Sequence, residues 1–87
     1  MRLDKFLKVS RIIKRRSVAK EIADKERILI NGKKSKSSSK VTVGDELTIQ
    51  FGNKTLVVEI ENIRDTTKKD EAKDLYRVVE ETYTQEG

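Results

Sequence analysis

The chain has 87 residues, a net charge of +5 from 20 Lys and Arg against 15 Asp and Glu, and neither cysteine nor histidine. Its length gives one domain near the small end of what folds unaided, and the missing residue types exclude a disulfide framework, thiol chemistry, the usual zinc ligand sets and imidazole acid–base catalysis. No run approaches the ~18 to 20 apolar residues of a membrane span and no apolar signal segment precedes the charged start, so a soluble, intracellular protein is expected.

Leu3, Phe6, Leu7 and Ser10 follow the spacing of one helical face, with Arg2, Lys5 and Lys8 on the other side. A first short helix therefore buries Leu3, Phe6 and Leu7. Ser17 is the expected N-cap of a second helix whose packing side is Val18, Ala19, Ile22 and Ala23. Lys20 stands where a capping box would place Glu or Gln, so the cap is one-sided. Arg15 and Arg16 flank this helix start, where free N–H groups and side-chain charge favour an anion.

Ile28-Leu29-Ile30 then reads as a strand, and Asn31-Gly32 supplies the positive φ angles of a type I′ hairpin turn. Residues 33–40, KKSKSSSK, read as a polar loop or ragged edge strand, either a solvated linker or part of a basic patch. Val41 to Asp45 turns the chain into Glu46–Phe51, where Leu47, Ile49 and Phe51 alternate with polar residues. Gly52-Asn53 leads to a strand over 54–63, with Leu56, Val58 and Ile60 on one face and Val57, Glu59 and Glu61 on the other. From Thr66 the run TKKDEAKDL predicts a charged helical turn or two, Leu75 to Val79 a final strand, and residues 82–87 a frayed end. The expected fold is α+β: two short helices packed on a small, mostly antiparallel sheet over residues 1–63, with a C-terminal extension over 64–87.

Charge is segregated along this plan. Residues 1–40 hold 14 Lys and Arg against 4 Asp and Glu, whereas residues 41–87 hold 6 against 11. The basic half is an electrostatic footprint for nucleic acid or another polyanion, and the acidic half, from residue 57 on, is expected to face away from it. Phe6 and Phe51 fall on apolar faces and Tyr76 and Tyr83 in the acidic half, so no stacking platform for splayed bases is expected. Shape and phosphates of folded RNA are what such a surface reads.

Three blocks in this order, RLDKFL at 2–7, RRSVAKEIADKERILING at 15–32 and VTVGDELTI at 41–49, resemble the RNA-binding domain named after ribosomal small-subunit protein four, the S-four domain. One departure is Glu26, where many members carry Gly. With no room for a catalytic domain, the chain resembles the stand-alone members, namely the small heat-shock ribosome-recycling proteins and, more closely, the RqcP family of ribosome-associated quality control in Firmicutes. That resemblance implies a non-enzymatic, cytoplasmic, ribosome-associated factor. It implies binding to large-subunit ribosomal RNA on obstructed subunits that hold peptidyl-tRNA, and partnership with an RqcH-type factor that adds alanine tails to the stalled chain. No cofactor or metal is implied, and the chain is expected to be monomeric off the ribosome.

Arg2, Arg11, Lys14, Arg15, Arg16 and Lys20 are the expected central RNA contacts, with Arg27, Lys33, Lys34, Lys5 and Lys8 around them. Arg2 and Arg16 match family motif positions. Asp4, one acid among many bases, is expected to pair with a nearby Arg and fix its guanidinium. The alternatives are a large-subunit recycling or assembly factor, and an anionic-membrane or protein-interaction module using the basic amphipathic start. That Arg-rich start also resembles a mitochondrial presequence, although removing it would strip the sheet of its helices. An enzyme is the weakest alternative, since no pair of acids falls in a recognisable cleft motif.

Overall fold

The computed structural model describes residues 1–65 and 67–83. Helix α1 spans Leu3–Val9 and α2 spans Arg16–Asp24. The predicted face of α1 is realised: Leu3, Phe6 and Leu7 are fully buried. Ser10, its C-cap, is buried with its hydroxyl donating to the Leu7 carbonyl at 3.2 Å.

Helix α2 starts two residues earlier than a Ser17 N-cap predicts. Arg15 is the N-cap, in extended conformation, and Ala19 N–H donates to its carbonyl at 3.0 Å, so Ser17 lies inside the first turn. The earlier start puts Arg16 on the helix, from which its guanidinium reaches Asp4. The packing side is also narrower than predicted. Ala19 and Ala23 are buried while Ile22 is half-buried and Val18 is exposed, because two methyl-sized side chains set the closest approach to α1.

Both helices end on a left-handed residue that is not glycine, Arg11 and Glu26, each at φ 61°. At α2 the Glu26 N–H donates to Ala23 O at 3.0 Å and the Arg27 N–H to Ile22 O at 3.2 Å, a Schellman closure that requires this conformation. The turn keeps its geometry without the glycine common in the family, and the strain falls on Glu26.

Strands β1 (Ile28–Ile30), β2 (Lys33–Lys34), β3 (Glu46–Phe51), β4 (Lys54–Ile60) and β5 (Tyr76–Tyr83) form one sheet in the order β2-β1-β3-β4-β5, every neighbour antiparallel. This is the α+β architecture read from the sequence. Asn31 and Gly32 have φ of 52° and 81°, as the hairpin turn demands. The Asn31 amide then donates to Asp45 Oδ1 at 3.0 Å and accepts from the Glu46 N–H at 2.9 Å, clipping this turn to the one that enters β3. Ile28, Leu47, Ile49, Leu56, Val58 and Ile60 form the inner face on which the helices rest.

Three boundaries differ from expectation. The strand predicted over 54–63 ends at Ile60. The helical stretch is a 3-10 helix at Ala72–Leu75, its expected start at Thr66 lying outside the described residues. The last strand is longer than predicted: Thr82 and Tyr83 pair with Thr55 and Lys54, while the expected fraying over 84–87 lies outside the described residues. Partner strand β4 extends equally far, so the sheet ladder continues where residue patterning alone suggests a stop.

Replacing Glu26 with Gly should stabilise the protein by about 0.5–1 kcal/mol, since relief of a left-handed side chain exceeds the few tenths lost with its exposed ion pair to Lys34. Thermal melting followed by circular dichroism should show a rise of about 2–8 °C.

Candidate nucleic-acid interface

Asp4 is the only acid in the first 20 residues and it is buried. Its Oδ1 accepts from Arg2 Nε at 3.2 Å and from the Lys5 backbone N–H at 2.8 Å, and its Oδ2 faces Arg2 Nη2 at 3.4 Å and Arg16 Nε at 3.4 Å. One desolvated carboxylate thus holds two guanidiniums from the starts of two helices. Both arginine side chains remain about half exposed, at 49% and 46%, with donors left over for a ligand. The predicted role of Asp4 is present, with two arginines where one was expected.

The KKSKSSSK segment is no solvated linker. Ser35 and Ser37 are buried, and Ser35 Oγ donates to Ile28 O at 2.7 Å. Leu3 N–H donates to Ser39 O at 2.7 Å and Asp4 N–H to Ser37 O at 3.2 Å, so the loop's carbonyls satisfy the free donors at the start of α1. Arg2 and Lys40 form an antiparallel bridge and Val41 N–H donates to Met1 O at 2.8 Å. At the other end the Ser37 N–H donates to Asp24 Oδ1 at 3.1 Å, and this bond holds the Asp24 carboxyl below its ordinary range, with Lys20 and Lys36 acting in the same direction. Lys36 and Lys40 consequently join the basic surface. Composition alone could not single them out, because their placement depends on the loop folding back over α1.

The remaining predicted residues divide into groups. Arg15, Lys20, Arg27 and Lys33 are exposed and have no carboxylate within salt-bridge distance among the described residues. Arg11 and Lys14 come together with Lys8 around a cavity of about 320 Å³ that Thr67 also lines. Lys34 is engaged with Glu26 at 3.3 Å, and Lys5 with Asp65 at 3.2 Å, both exposed pairs that a phosphate can displace.

The C-terminal segment is therefore not wholly remote from the basic helices. Asp65 meets Lys5, and the Thr67 hydroxyl donates to the Val9 carbonyl at the end of α1. The far edge of the sheet is acidic: Glu81 accepts from the Tyr83 hydroxyl, which holds the Glu81 carboxyl below its usual range, and Lys54 lies nearby at 3.5 Å. Phe6 is taken by the core as expected, but Phe51 is only half-buried, and with Tyr76 it lines a second cavity.

Comparison with known proteins fits this geometry. The family model described as "S4 domain" matches residues 1–47. A Bacillus subtilis (strain 168) protein named RQC P-site tRNA stabilizing factor is 58% identical over 81 residues, covering 93% of this chain and 94% of the relative. Its namesake in Streptococcus pneumoniae (strain ATCC BAA-255 / R6) is 55% identical over 87 residues, covering 100% of this chain and 99% of the relative. Among solved structures, Vibrio cholerae Heat Shock Protein 15, described as trimeric, superposes with a TM-score of 0.84 at 34% identity, covering 91% of this chain and 81% of that one.

Two predictions test the clamp and the loop. Asp4→Asn should destabilise the protein by about 1–3 kcal/mol, since two guanidiniums lose their shared charge while the Lys5 N–H keeps an acceptor, as urea titration would measure. Because the Asp24 pKa is depressed on folding, the contribution of its Ser37 bond is full above the unfolded value of about 3.9 and is lost as pH falls through the lower folded value. The Ser37 amide proton resonance should therefore titrate with a midpoint below about pH 3.9 and lose that transition in Asp24→Asn.

Proposed function

This chain belongs to the S4 domain family, and we propose that it is an RNA-binding factor of ribosome-associated quality control that steadies tRNA in the P site, as the name of its relatives states for them. The observation that carries this role is the Asp4 clamp, which fixes Arg2 and Arg16 side by side on an exposed face that also bears Arg15, Lys20 and the folded loop with Lys36 and Lys40. Rigidly spaced guanidiniums recognise phosphates at a defined separation, which is how a protein reads the shape of folded RNA.

In finer detail, the factor binds obstructed large subunits through their ribosomal RNA and contacts the peptidyl-tRNA, holding it while an RqcH-type partner adds alanine to the stalled chain. Full-length coverage of relatives bearing one name supports this role, as does the basic face. It acts by position and not by catalysis, in the cytoplasm on the ribosome, and as a monomer when off it. The contacts are Arg2, Arg11, Lys14, Arg15, Arg16 and Lys20, with Arg27, Lys33 and Lys34 at the margin; residues 1–63 are the RNA-binding unit and 64–87 an extension, from which β5 (Tyr76–Tyr83) joins the sheet.

Wild-type protein should co-sediment with free large subunits carrying tRNA in a sucrose gradient, and Arg16→Ala should remain at the top while keeping its circular dichroism spectrum. Migration of both variants away from ribosomes would refute this role. With ~6 phosphates neutralised, affinity for large-subunit RNA should fall roughly a thousandfold between 50 and 200 mM monovalent salt.

A further inference from the structure

Two cavities meet at Arg11, and a flat phosphate-gripping face explains neither. The first, about 320 Å³, is lined by Lys8, Val9, Arg11, Lys14 and Thr67. The second, about 350 Å³, is lined by Ile12, Phe51, Leu56, Tyr76 and Val78, and also carries Arg11 and the Lys54–Glu81 pair.

The first cavity lies at the C-terminal end of α1, which ordinarily repels anions because the last carbonyls point outward. Here those carbonyls are quenched: Val9 O accepts from the Thr67 hydroxyl, Leu7 O from Ser10 Oγ and the Ile13 N–H, and Lys8 O from the Arg11 N–H. Lys8, Arg11 and Lys14 have no carboxylate within salt-bridge distance among the described residues. What remains is a cationic pocket suited to one phosphate group. The second cavity differs in kind, with two half-buried aromatic residues and a Glu81 carboxylate that already engages Lys54 at 3.5 Å. Arg11 lines both, and a guanidinium can bond a phosphate through its edge while presenting its face to a flat ring. Its backbone is held at φ 61° by the turn that ends α1, which fixes where the side chain leaves the helix.

We propose that the two cavities form one site for a single unstacked RNA nucleotide, with its backbone phosphate among Lys8, Arg11 and Lys14 and its base against Phe51 and Tyr76. This rests on the RNA-binding role above and deepens it, adding a base contact to a surface otherwise confined to phosphates. The polarity follows from the cations: Lys8, Arg11 and Lys14 have no carboxylate partner among the described residues, whereas Lys54 in the second cavity is engaged by Glu81.

The test is a proton–nitrogen NMR titration of the full chain with adenosine 5′-monophosphate, alongside ribose 5-phosphate, adenosine and N-acetylphenylalaninamide. The nucleotide should shift amides in both cavities, including Lys14 and Thr67 in one and Tyr76 and Val78 in the other. It should bind about tenfold more tightly than ribose 5-phosphate, the worth of one stacked base. Val78→Asp, at a strand residue 49% exposed, should remove about that tenfold advantage. Arg11→Gly, which also relieves the left-handed backbone, should weaken nucleotide binding without lowering the melting temperature. Equal binding of nucleotide and ribose 5-phosphate, with shifts confined to the first cavity, would overturn the proposal. So would a stronger response of the second cavity to the phenylalanine probe, which would mark a protein side chain as its occupant. Large-subunit sedimentation separates this site from the broader role: if wild type but not Arg16→Ala follows the subunit while nucleotide fails to bind, the nucleotide site alone falls. If nucleotide binds as expected but wild type does not follow the subunit, the ribosomal role alone falls.

Discussion

A single buried carboxylate organises the N-terminal half of this protein. Asp4 is taken out of water by the core beneath α1, and a charge in that position must be matched. Arg2 and Arg16 match it from the N-terminal starts of α1 and α2, so the spacing of the two guanidiniums is set by one carboxylate. The backbone around it is constrained as well. Asp4 N–H and Leu3 N–H both donate to the 35–41 loop, which brings Lys36 and Lys40 onto the surface that Arg2 and Arg16 occupy. A net-basic sequence is thereby converted into a fixed pattern of charge, and a fixed pattern is what distinguishes recognition of one RNA shape from general attraction to polyanions.

The parts of this fold most legible in the sequence are those governed by local stereochemistry or by strict periodicity. Asn31-Gly32 admits one kind of tight turn, and the alternation of Leu47 with Ile49, and of Leu56 with Val58 and Ile60, fixes which face of each strand is buried. The same holds for Leu3, Phe6 and Leu7. Elements set by tertiary hydrogen bonds were not legible. Helix α2 starts at Arg16 behind an Arg15 N-cap, with Arg16 reaching Asp4 across the chain, and does not follow the capping preference of Ser17. KKSKSSSK has the composition of a solvated loop, yet two of its serines are buried because carbonyls of the loop close the open donors of α1. Strand β5 runs to Tyr83 because β4 offers it a full ladder.

The candidate site shows the same division. The identity of the basic residues is plain from the sequence, as is the pairing of Asp4 with arginine. Which cations are free and which are engaged depends on contacts across the chain, such as Lys34 with Glu26 and Lys5 with Asp65 over 60 residues. Phe51 reads as a core residue because it continues the alternation of Leu47 and Ile49, but it ends its strand, and the last position of a strand has a neighbour on one side only. That geometric fact leaves an aromatic ring half-exposed beside Tyr76.

The long edge at β5 is the remaining structural hazard, since eight residues of unpaired strand edge invite pairing with another chain. Charge answers it in part, through Arg77, Glu80 and Glu81. Geometry answers the rest. Val57 faces Glu80 while Val58 faces Val78, so Val79 is an extra residue on β5, a bulge that bends the strand and spoils a flat template. The bulge also leaves Val78 on the wall of the cavity shared with Tyr76 and Arg11. A device that keeps the edge from recruiting a strand thus also shapes the recess beside Tyr76 and Arg11, and protection of the edge and construction of the recess follow from the same inserted residue.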